Sequence, residues 1–143
     1  MLDKKQFEDL IKRILIEYDL YNKSAVNLLL GTAAQESKFG TYIRQINGPA
    51  LGIFQMEKPT FDWLKNIYGS KYPIGEFDEL EYNLKQAILL ARLRYRIVPK
   101  PLPDADDIEG LAKYWKEYYN TPLGKGKIEQ FINNYKKYIK GEA

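Results

Sequence analysis

The chain has 143 residues, of which 45% are hydrophobic and 14% aromatic, and its formal net charge is +3. This composition is typical of one globular domain rather than a disordered chain, and so small a charge excess does not require a polyanionic partner. Since the chain has no histidine and no cysteine, Ser-His-Asp triads, Cys-His nucleophiles and ordinary zinc sites are excluded, and any catalysis falls to carboxylates, tyrosines, lysines, serines and amides.

The first half of the chain begins with two predicted helices. Apolar residues recur at helical spacing over residues 4–19, with Asp3 as the N-cap. A second helix is predicted from Ser24, as its cap, to about Lys38, with Gly40 as the glycine that follows its end. The apolar residues of this second helix run nearly all the way round it, which predicts a buried central helix.

The rest of the chain predicts one irregular segment and four more helices. Residues 41–56 combine weak strand character with the turn signal Asn47-Gly48, so we expect a small β-hairpin or a structured loop there. The further helices are predicted at about 59–68, 79–97, 106–118 and 127–140, with a loop at 119–126. The expected fold class is mainly α, a single domain over residues 1–143 with about six helices.

Glu36 is notable because it ends the predicted central helix. Leu28 and Ala33 crowd the other side of that helix, so we expect its carboxyl to be partly buried. Burial and the negative end of the helix both disfavour the charged form and raise the pKa of the carboxyl. A carboxylic acid that keeps its proton near neutral pH suits the protonation of a glycosidic oxygen. The alternative is a solvated glutamate, or one paired with Lys38 or Arg44.

Three short motifs occur in the order of a known superfamily. They are 36-ESKFG-40, 52-GIFQM-56 and 119-YN-120. They resemble the Glu-Ser, Gly-Leu-Met-Gln and Ala-Tyr-Asn motifs of the soluble lytic transglycosylase and goose-type lysozyme superfamily, and in particular its small phage-encoded members. Tyr118 replaces the usual alanine before Tyr-Asn. The resemblance implies an α+β lysozyme-like variant of the helical fold, and peptidoglycan cleavage.

The resemblance also implies a role for each matched position. Glu36 matches the catalytic acid and base. Ser37 matches a residue that hydrogen-bonds and supports the glutamate or the substrate, and Gln55 matches a glutamine beside the cleft. Tyr119 matches the tyrosine that orients the catalytic carboxyl, and Asn120 matches its neighbour in the substrate site.

The number of carboxylates separates two possible reactions. From Lys38 through Met56 there is no Asp or Glu, so the predicted hairpin cannot supply a second acid. One carboxylate suffices when the N-acetyl group of the substrate assists, which favours a lytic transglycosylase that cleaves the MurNAc-GlcNAc β-1,4 bond and leaves a 1,6-anhydro product. The alternative is an inverting muramidase in which Glu57 orders a water. Phe54 either stacks on sugars or packs in the core.

The expected partner is the glycan strand of peptidoglycan, bound by a monomer that needs no metal and no cofactor. The charged N-terminus lacks an uninterrupted apolar stretch, so we expect no signal peptide. We therefore expect synthesis in a bacterial host cytoplasm and action on the cell wall, as a phage virion component or as a lysis enzyme with holin-dependent export. An inactive phage structural or glycan-binding protein is the alternative from another class. Mixed charge along every helix speaks against a nucleic-acid partner.

Overall fold

Helices dominate the structure, a computed structural model that describes residues 1–121 and 123–142. The six α-helices of the described residues are α1 (Lys4–Glu17), α2 (Lys23–Ser37), α3 (Lys58–Tyr68), α4 (Leu84–Arg96), α5 (Ile108–Trp115) and α6 (Ile128–Asn134). A 3₁₀ turn at Phe77–Glu81 precedes α4, and π-helical turns at Lys116–Asn120 and Tyr135–Ile139 extend α5 and α6. The prediction of a mainly helical fold with about six helices is confirmed. Across the described part of the chain, no helix combines the length and apolarity that a membrane span requires.

Helix α2 is the central element, as predicted. Eleven of its fifteen residues are buried. It contacts α1, α4, α5, α6 and the π-turn at 135–139. Gly31 permits the approach of α6, because a Cβ atom at that position would collide with the ring of Phe131. The core therefore forms around α2, and the end of α2 is held rigidly.

The N-caps of the first two helices follow ordinary capping chemistry. Asp3 accepts a hydrogen bond of 2.9 Å from the backbone amide of Gln6, as the sequence predicts. The predicted cap of α2 is wrong by two residues. Asn22 rather than Ser24 is the cap, and its side chain accepts a 2.7 Å hydrogen bond from the amide of Ala25. Asparagine and serine are both good caps, so local preference alone did not decide between them.

Helix α2 does not end directly on a glycine. Lys38, Phe39 and Gly40 follow one another with φ values of 48°, 56° and 82°. Left-handed conformations at the two non-glycine residues cost on the order of 1 kcal/mol each. The ring of Phe39 is 1% exposed, so burial of that ring offsets the cost. The reversal turns the chain sharply away from α2 just after Glu36.

Of the two forms predicted for residues 41–56, the structure shows the structured loop, and no β-hairpin is seen among the described residues. The segment contains two isolated antiparallel bridges, Arg44–Leu51 and Leu51–Met56. Three of its residues have positive φ, namely Asn47 at 57°, Gly52 at 82° and Gln55 at 50°. Because extended strands need negative φ, these residues interrupt any ladder after one pair.

Helix α4 is shorter than the predicted helix at 79–97. Asn83 caps it by accepting a 3.2 Å hydrogen bond from the amide of Gln86. The residues before that cap form the separate 3₁₀ turn. An asparagine at this position satisfies the first amides of a new helix, so the two segments do not merge.

The other predicted helices need smaller corrections. Helix α3 contains Pro59 in its first turn, as predicted. Helix α5 begins two residues later than predicted, at Ile108, and Asp107 caps it. The predicted loop at 119–126 begins too early, because Tyr119 and Asn120 still belong to the π-turn.

Candidate functional site

A cleft with a volume of about 530 Å³ lies beside the end of α2. The loop over residues 42–57 contributes to its lining, and so do the π-turn after α5 and the loop that follows it. Of the site residues predicted from the sequence, the cleft is lined by Glu36, Gln55, Glu57, Tyr119 and Asn120. The other lining residues are Tyr42, Arg44, Gln45, Ile46, Ala50, Lys125 and Gly126.

Glu36 lies in the last turn of α2 with its carboxyl half-buried at the cleft. Its Oε2 accepts a hydrogen bond of 3.0 Å from the indole Nε1–H of Trp115. Burial raises the pKa of Glu36 to about 7, and the Trp115 hydrogen bond opposes part of this rise because it stabilises the charged form. The sequence-based expectation of a raised pKa therefore agrees with the local environment.

Neither cation that offered an alternative role for Glu36 forms an ion pair with it. Arg44 pairs with Glu81 instead, at 3.2 Å between Nε and Oε1. Lys38 places its ammonium group 5.8 Å from the ring centre of Tyr42. Desolvation therefore has the larger effect on the pKa of Glu36, and the Trp115 hydrogen bond opposes only part of it.

Trp115 is a site residue that sequence reasoning missed. Its side chain is fully buried and packs on Phe131, with ring centroids 5.4 Å apart. A buried indole needs an acceptor for its N–H, and the Glu36 carboxyl is that acceptor. The available signal was the position of Trp115 four residues before Tyr119, since side chains four apart share a helix face.

Tyr119 connects the π-turn to the loop around residue 54. Its hydroxyl donates a 2.6 Å hydrogen bond to the carbonyl oxygen of Phe54. Burial raises the pKa of Tyr119 well above its ordinary value, and the charge of nearby Glu36 adds to the rise. The direct hydrogen-bond partner of the Glu36 carboxyl is thus Trp115, whereas Tyr119 holds the π-turn against the loop around residue 54.

Tyr95 forms a second buried layer behind Tyr119. The two rings have centroids 5.3 Å apart. The Tyr95 hydroxyl shares a 2.7 Å hydrogen bond with Thr32 Oγ1, and burial raises the pKa of Tyr95 well above its ordinary value. Both tyrosines are therefore neutral near Glu36, and their rings surround it with apolar surface rather than charge.

Ser37 lies outside the cleft. Its side chain is fully buried. Its hydroxyl donates a 3.1 Å hydrogen bond to the carbonyl of Ala33 and accepts one of 2.9 Å from the amide of Gly40. Ser37 thus supports the chain reversal after Glu36, while the expected direct hydrogen bond to the Glu36 side chain or to a substrate is not present among the described residues.

The loop residues around position 55 differ in exposure. Gln55 lines the cleft, and its Nε2 donates a 2.8 Å hydrogen bond to the carbonyl of Gly52. Glu57 lines the cleft with an exposed side chain and occupies the N-cap position of α3 without capping it. The Phe54 ring is 2% exposed and packs on Phe7 in the core, so Phe54 contributes its carbonyl rather than its ring.

Lys116 anchors the loop that closes the cleft on the side of Asn120, and it was also missed in the sequence. Its Nζ donates hydrogen bonds to Asn120 Oδ1 at 2.8 Å, the Gly124 carbonyl at 2.9 Å and the Gly126 carbonyl at 2.6 Å. An ammonium group only donates, so the Asn120 oxygen must face Lys116. The Asn120 Nδ2 therefore lies on the side of Gly126.

The cleft contains two carboxylates in different surroundings, one half-buried and one exposed. Glu36 is the half-buried carboxylate and has a pKa of about 7. It can therefore both give and take a proton near neutral pH. The part of the chain that the structure describes holds no group of three or more His, Cys, Asp or Glu residues suited to a metal ion. Proton transfer by carboxylate is the chemistry that these side chains support.

Comparisons of the chain with protein-family models, with curated proteins and with solved structures gave no match. What the cleft does is therefore inferred from its own side chains and from the order of the motifs. The fold brings Glu36, Gln55, Tyr119 and Asn120 to one cleft although they belong to three separate stretches of sequence.

Proposed function

We propose that the protein cleaves the MurNAc-GlcNAc β-1,4 bond of peptidoglycan as a lytic transglycosylase, with Glu36 as the general acid and then the base. The observation that carries this proposal is the half-buried Glu36 carboxyl in the cleft, whose pKa is about 7. Such a group is present in both protonation states near neutral pH. The reaction class comes from the resemblance of the ordered motifs to those of soluble lytic transglycosylases.

In the first step, protonated Glu36 gives its proton to the glycosidic oxygen while the bond from that oxygen to C1 breaks. Oε2 accepts the Trp115 N–H, so Oε1 is the oxygen that carries the proton toward the substrate. The positive charge that develops at C1 is stabilised by the N-acetyl group of the substrate. The indole hydrogen bond stabilises the carboxylate that the proton leaves behind.

In the second step, the Glu36 carboxylate removes the proton from the 6-hydroxyl of the same sugar. The 6-oxygen attacks C1 and closes a 1,6-anhydro ring, so no water is consumed and Glu36 regains its proton. One carboxylate is enough for this sequence. The neutral rings of Tyr95 and Tyr119 pack near Glu36 and maintain the low-dielectric surroundings that keep its pKa high.

A second candidate reaction is hydrolysis, and the position of Glu57 favours it. This side chain lines the same cleft, is exposed, and has no ion pair within the described ranges. Glu57 is thus free to order a water molecule. In an inverting muramidase such a carboxylate removes a proton from water as the water attacks C1, and the product has a reducing end.

Mass spectrometry of soluble fragments distinguishes these reactions. Purified wild type, Glu36→Gln and Glu57→Gln are incubated with peptidoglycan of several wall types. Anhydro-muropeptides that depend on Glu36 and persist in Glu57→Gln support the transglycosylase. Reducing muropeptides that disappear in both variants support the muramidase. Absence of fragments from the wild type on every wall type contradicts both, and favours a structural or glycan-binding phage protein.

A further inference from the structure

Arg92 in α4 is a buried charged residue that the proposed reaction does not use. The residue is 6% exposed. Its Nε donates a hydrogen bond of 2.9 Å to the carbonyl oxygen of Leu20, which fixes the plane of the guanidinium group and leaves the N–H groups of Nη1 and Nη2. These groups make no hydrogen bond within residues 1–121 and 123–142. Since every buried side-chain nitrogen of the described residues has a partner, the two Nη atoms reach the surface and present a fork of donors there.

The charge of Arg92 is not balanced by a carboxylate. Within the described ranges, no carboxylate oxygen lies within 4.0 Å of Arg92 or of Arg96. Arg96 is exposed and lies one turn further along α4, on the same face of the helix. Burial lowers the pKa of Arg92, and the positive charge of Arg96 lowers it further. A buried cation beside a like charge costs free energy that an anion would offset.

The end of α3 and the turn after it add further donors near Arg92. Tyr68 and Tyr72 have ring centroids 5.9 Å apart, and both lie close enough to Arg92 to affect its pKa. Neither hydroxyl is hydrogen-bonded to another side chain or to backbone in the part of the chain that the structure describes, so each can donate to a ligand. Lys71 places its ammonium group 5.5 Å from the ring centre of Tyr72. The surroundings of Arg92 therefore combine hydrogen-bond donors with positive charge.

We propose that Arg92 and Arg96 bind a phosphate group, with the hydroxyls of Tyr68 and Tyr72 as further donors. The planar fork of a guanidinium group matches two phosphate oxygens at once. Two arginines balance the charge of about −2 that a phosphate monoester carries near pH 7, which a single carboxylate does not have. None of these four residues lines the cleft, so this phosphate site goes beyond the proposed glycan cleavage and does not depend on it.

The first test is a titration of the wild-type protein with inorganic phosphate. Nitrogen NMR follows the side-chain N–H resonances of the arginines, and sodium chloride at the same ionic strength serves as the reference salt. The resonances of Arg92 and Arg96 should shift with phosphate and reach saturation, because specific binding fills the site while screening by salt does not saturate. Arg13 is exposed and has no ion pair among the described residues, so its resonance should respond equally to both salts.

Three variants assign the binding to particular residues. Arg96→Gln should weaken phosphate binding about 3- to 5-fold, since exposed ion pairs contribute modestly. Arg92→Lys keeps the positive charge but loses the fork, and it should weaken binding about 10-fold. Arg13→Gln removes the same charge as Arg96→Gln and should keep the wild-type Kd. If Arg92→Lys does not fold, the wild-type titration and the comparison of Arg96→Gln with Arg13→Gln still decide.

Two further probes identify the source of the phosphate group. Glycerol 3-phosphate is a monoester, and glycerophosphoglycerol is a diester of the kind found in polymers and lipid headgroups. Tighter binding of inorganic phosphate or the monoester supports a site for a small phosphate, whereas a diester that binds at least as tightly supports a phosphate group within a larger molecule. Equal shifts of Arg92 with chloride and phosphate overturn the inference, as does equal weakening by Arg13→Gln and Arg96→Gln. No glycan is present in these titrations, so their outcome is independent of peptidoglycan cleavage.

Discussion

Replacing Glu36 by glutamine should stabilise the protein at pH 8 and leave its stability nearly unchanged at pH 4. Glutamine keeps the shape of the side chain and an oxygen that can accept the Trp115 N–H, which is 3.0 Å away in the wild type. It removes only the ionisation. The wild-type carboxyl has an ordinary pKa of 4.5 when exposed and a pKa of about 7 in the folded protein.

The direction in which stability changes with pH follows from proton linkage. Between pH 4.5 and about 7 the unfolded chain has lost this proton while the folded protein keeps it, so the free energy of unfolding falls as the pH rises. Below that window both states are protonated, and above it both are ionised. Above the pKa of the folded state, the free energy of unfolding is lowered by about 3 kcal/mol in total, since each unit of pKa difference is worth about 1.4 kcal/mol.

The assay is urea unfolding of wild type and Glu36→Gln at several pH values between 4 and 8. The difference in free energy of unfolding should grow from near zero to about 3 kcal/mol in favour of the variant, or roughly 10 °C in melting temperature. Glu117→Gln, at an exposed position, controls for the loss of one negative charge. A Glu36→Gln difference that stays constant across the range would refute the assignment of a desolvated carboxyl.

Three further predictions concern the same site. Activity on peptidoglycan should fall as the pH rises through about 7, because Glu36 must begin the reaction protonated; a kcat/KM profile against pH checks this, and a rate that keeps rising up to pH 9 contradicts it. Trp115→Phe should raise the pKa of Glu36 further, by about one unit, since the carboxylate loses its only hydrogen-bonded side-chain partner among the described residues; carbon NMR of the labelled carboxyl measures the change, and a lowered value would show that the indole is not a net stabiliser of the charge. Lys116→Met should release the loop over Gly124 and Gly126 and destabilise the protein by about 1 to 3 kcal/mol, with faster hydrogen exchange at the Gly124 amide; unchanged exchange at that amide would show that the lysine does not hold the loop.

Much of the helical framework is predictable from local sequence. The apolar periodicity of α1, the all-round apolar surface of α2 and the proline in the first turn of α3 each determine an element with little help from the rest of the chain. The half-buried state of Glu36 follows from the same reasoning, since a carboxyl that ends a buried helix has little access to water.

The conformation of the loop over residues 41–56 could not be predicted from local sequence. The Asn47-Gly48 turn favours a hairpin locally, yet Gly52 approaches the Leu80 carbonyl so closely that a Cβ atom would collide with it. That contact joins residues far apart in sequence. A backbone conformation chosen by such a contact, with Gln55 at φ 50°, cannot be read from turn propensity.

By itself the sequence determined the mainly helical fold, the central position of α2 and the identity of the carboxyl beside the cleft. Only the tertiary structure decided which group donates a hydrogen bond to that carboxyl, namely the Trp115 indole. The physical reason is the distance along the sequence over which each kind of interaction acts. Periodicity and capping act within a few residues, whereas the partner of Glu36 lies 79 positions away and is chosen by the packing of α2 against α5.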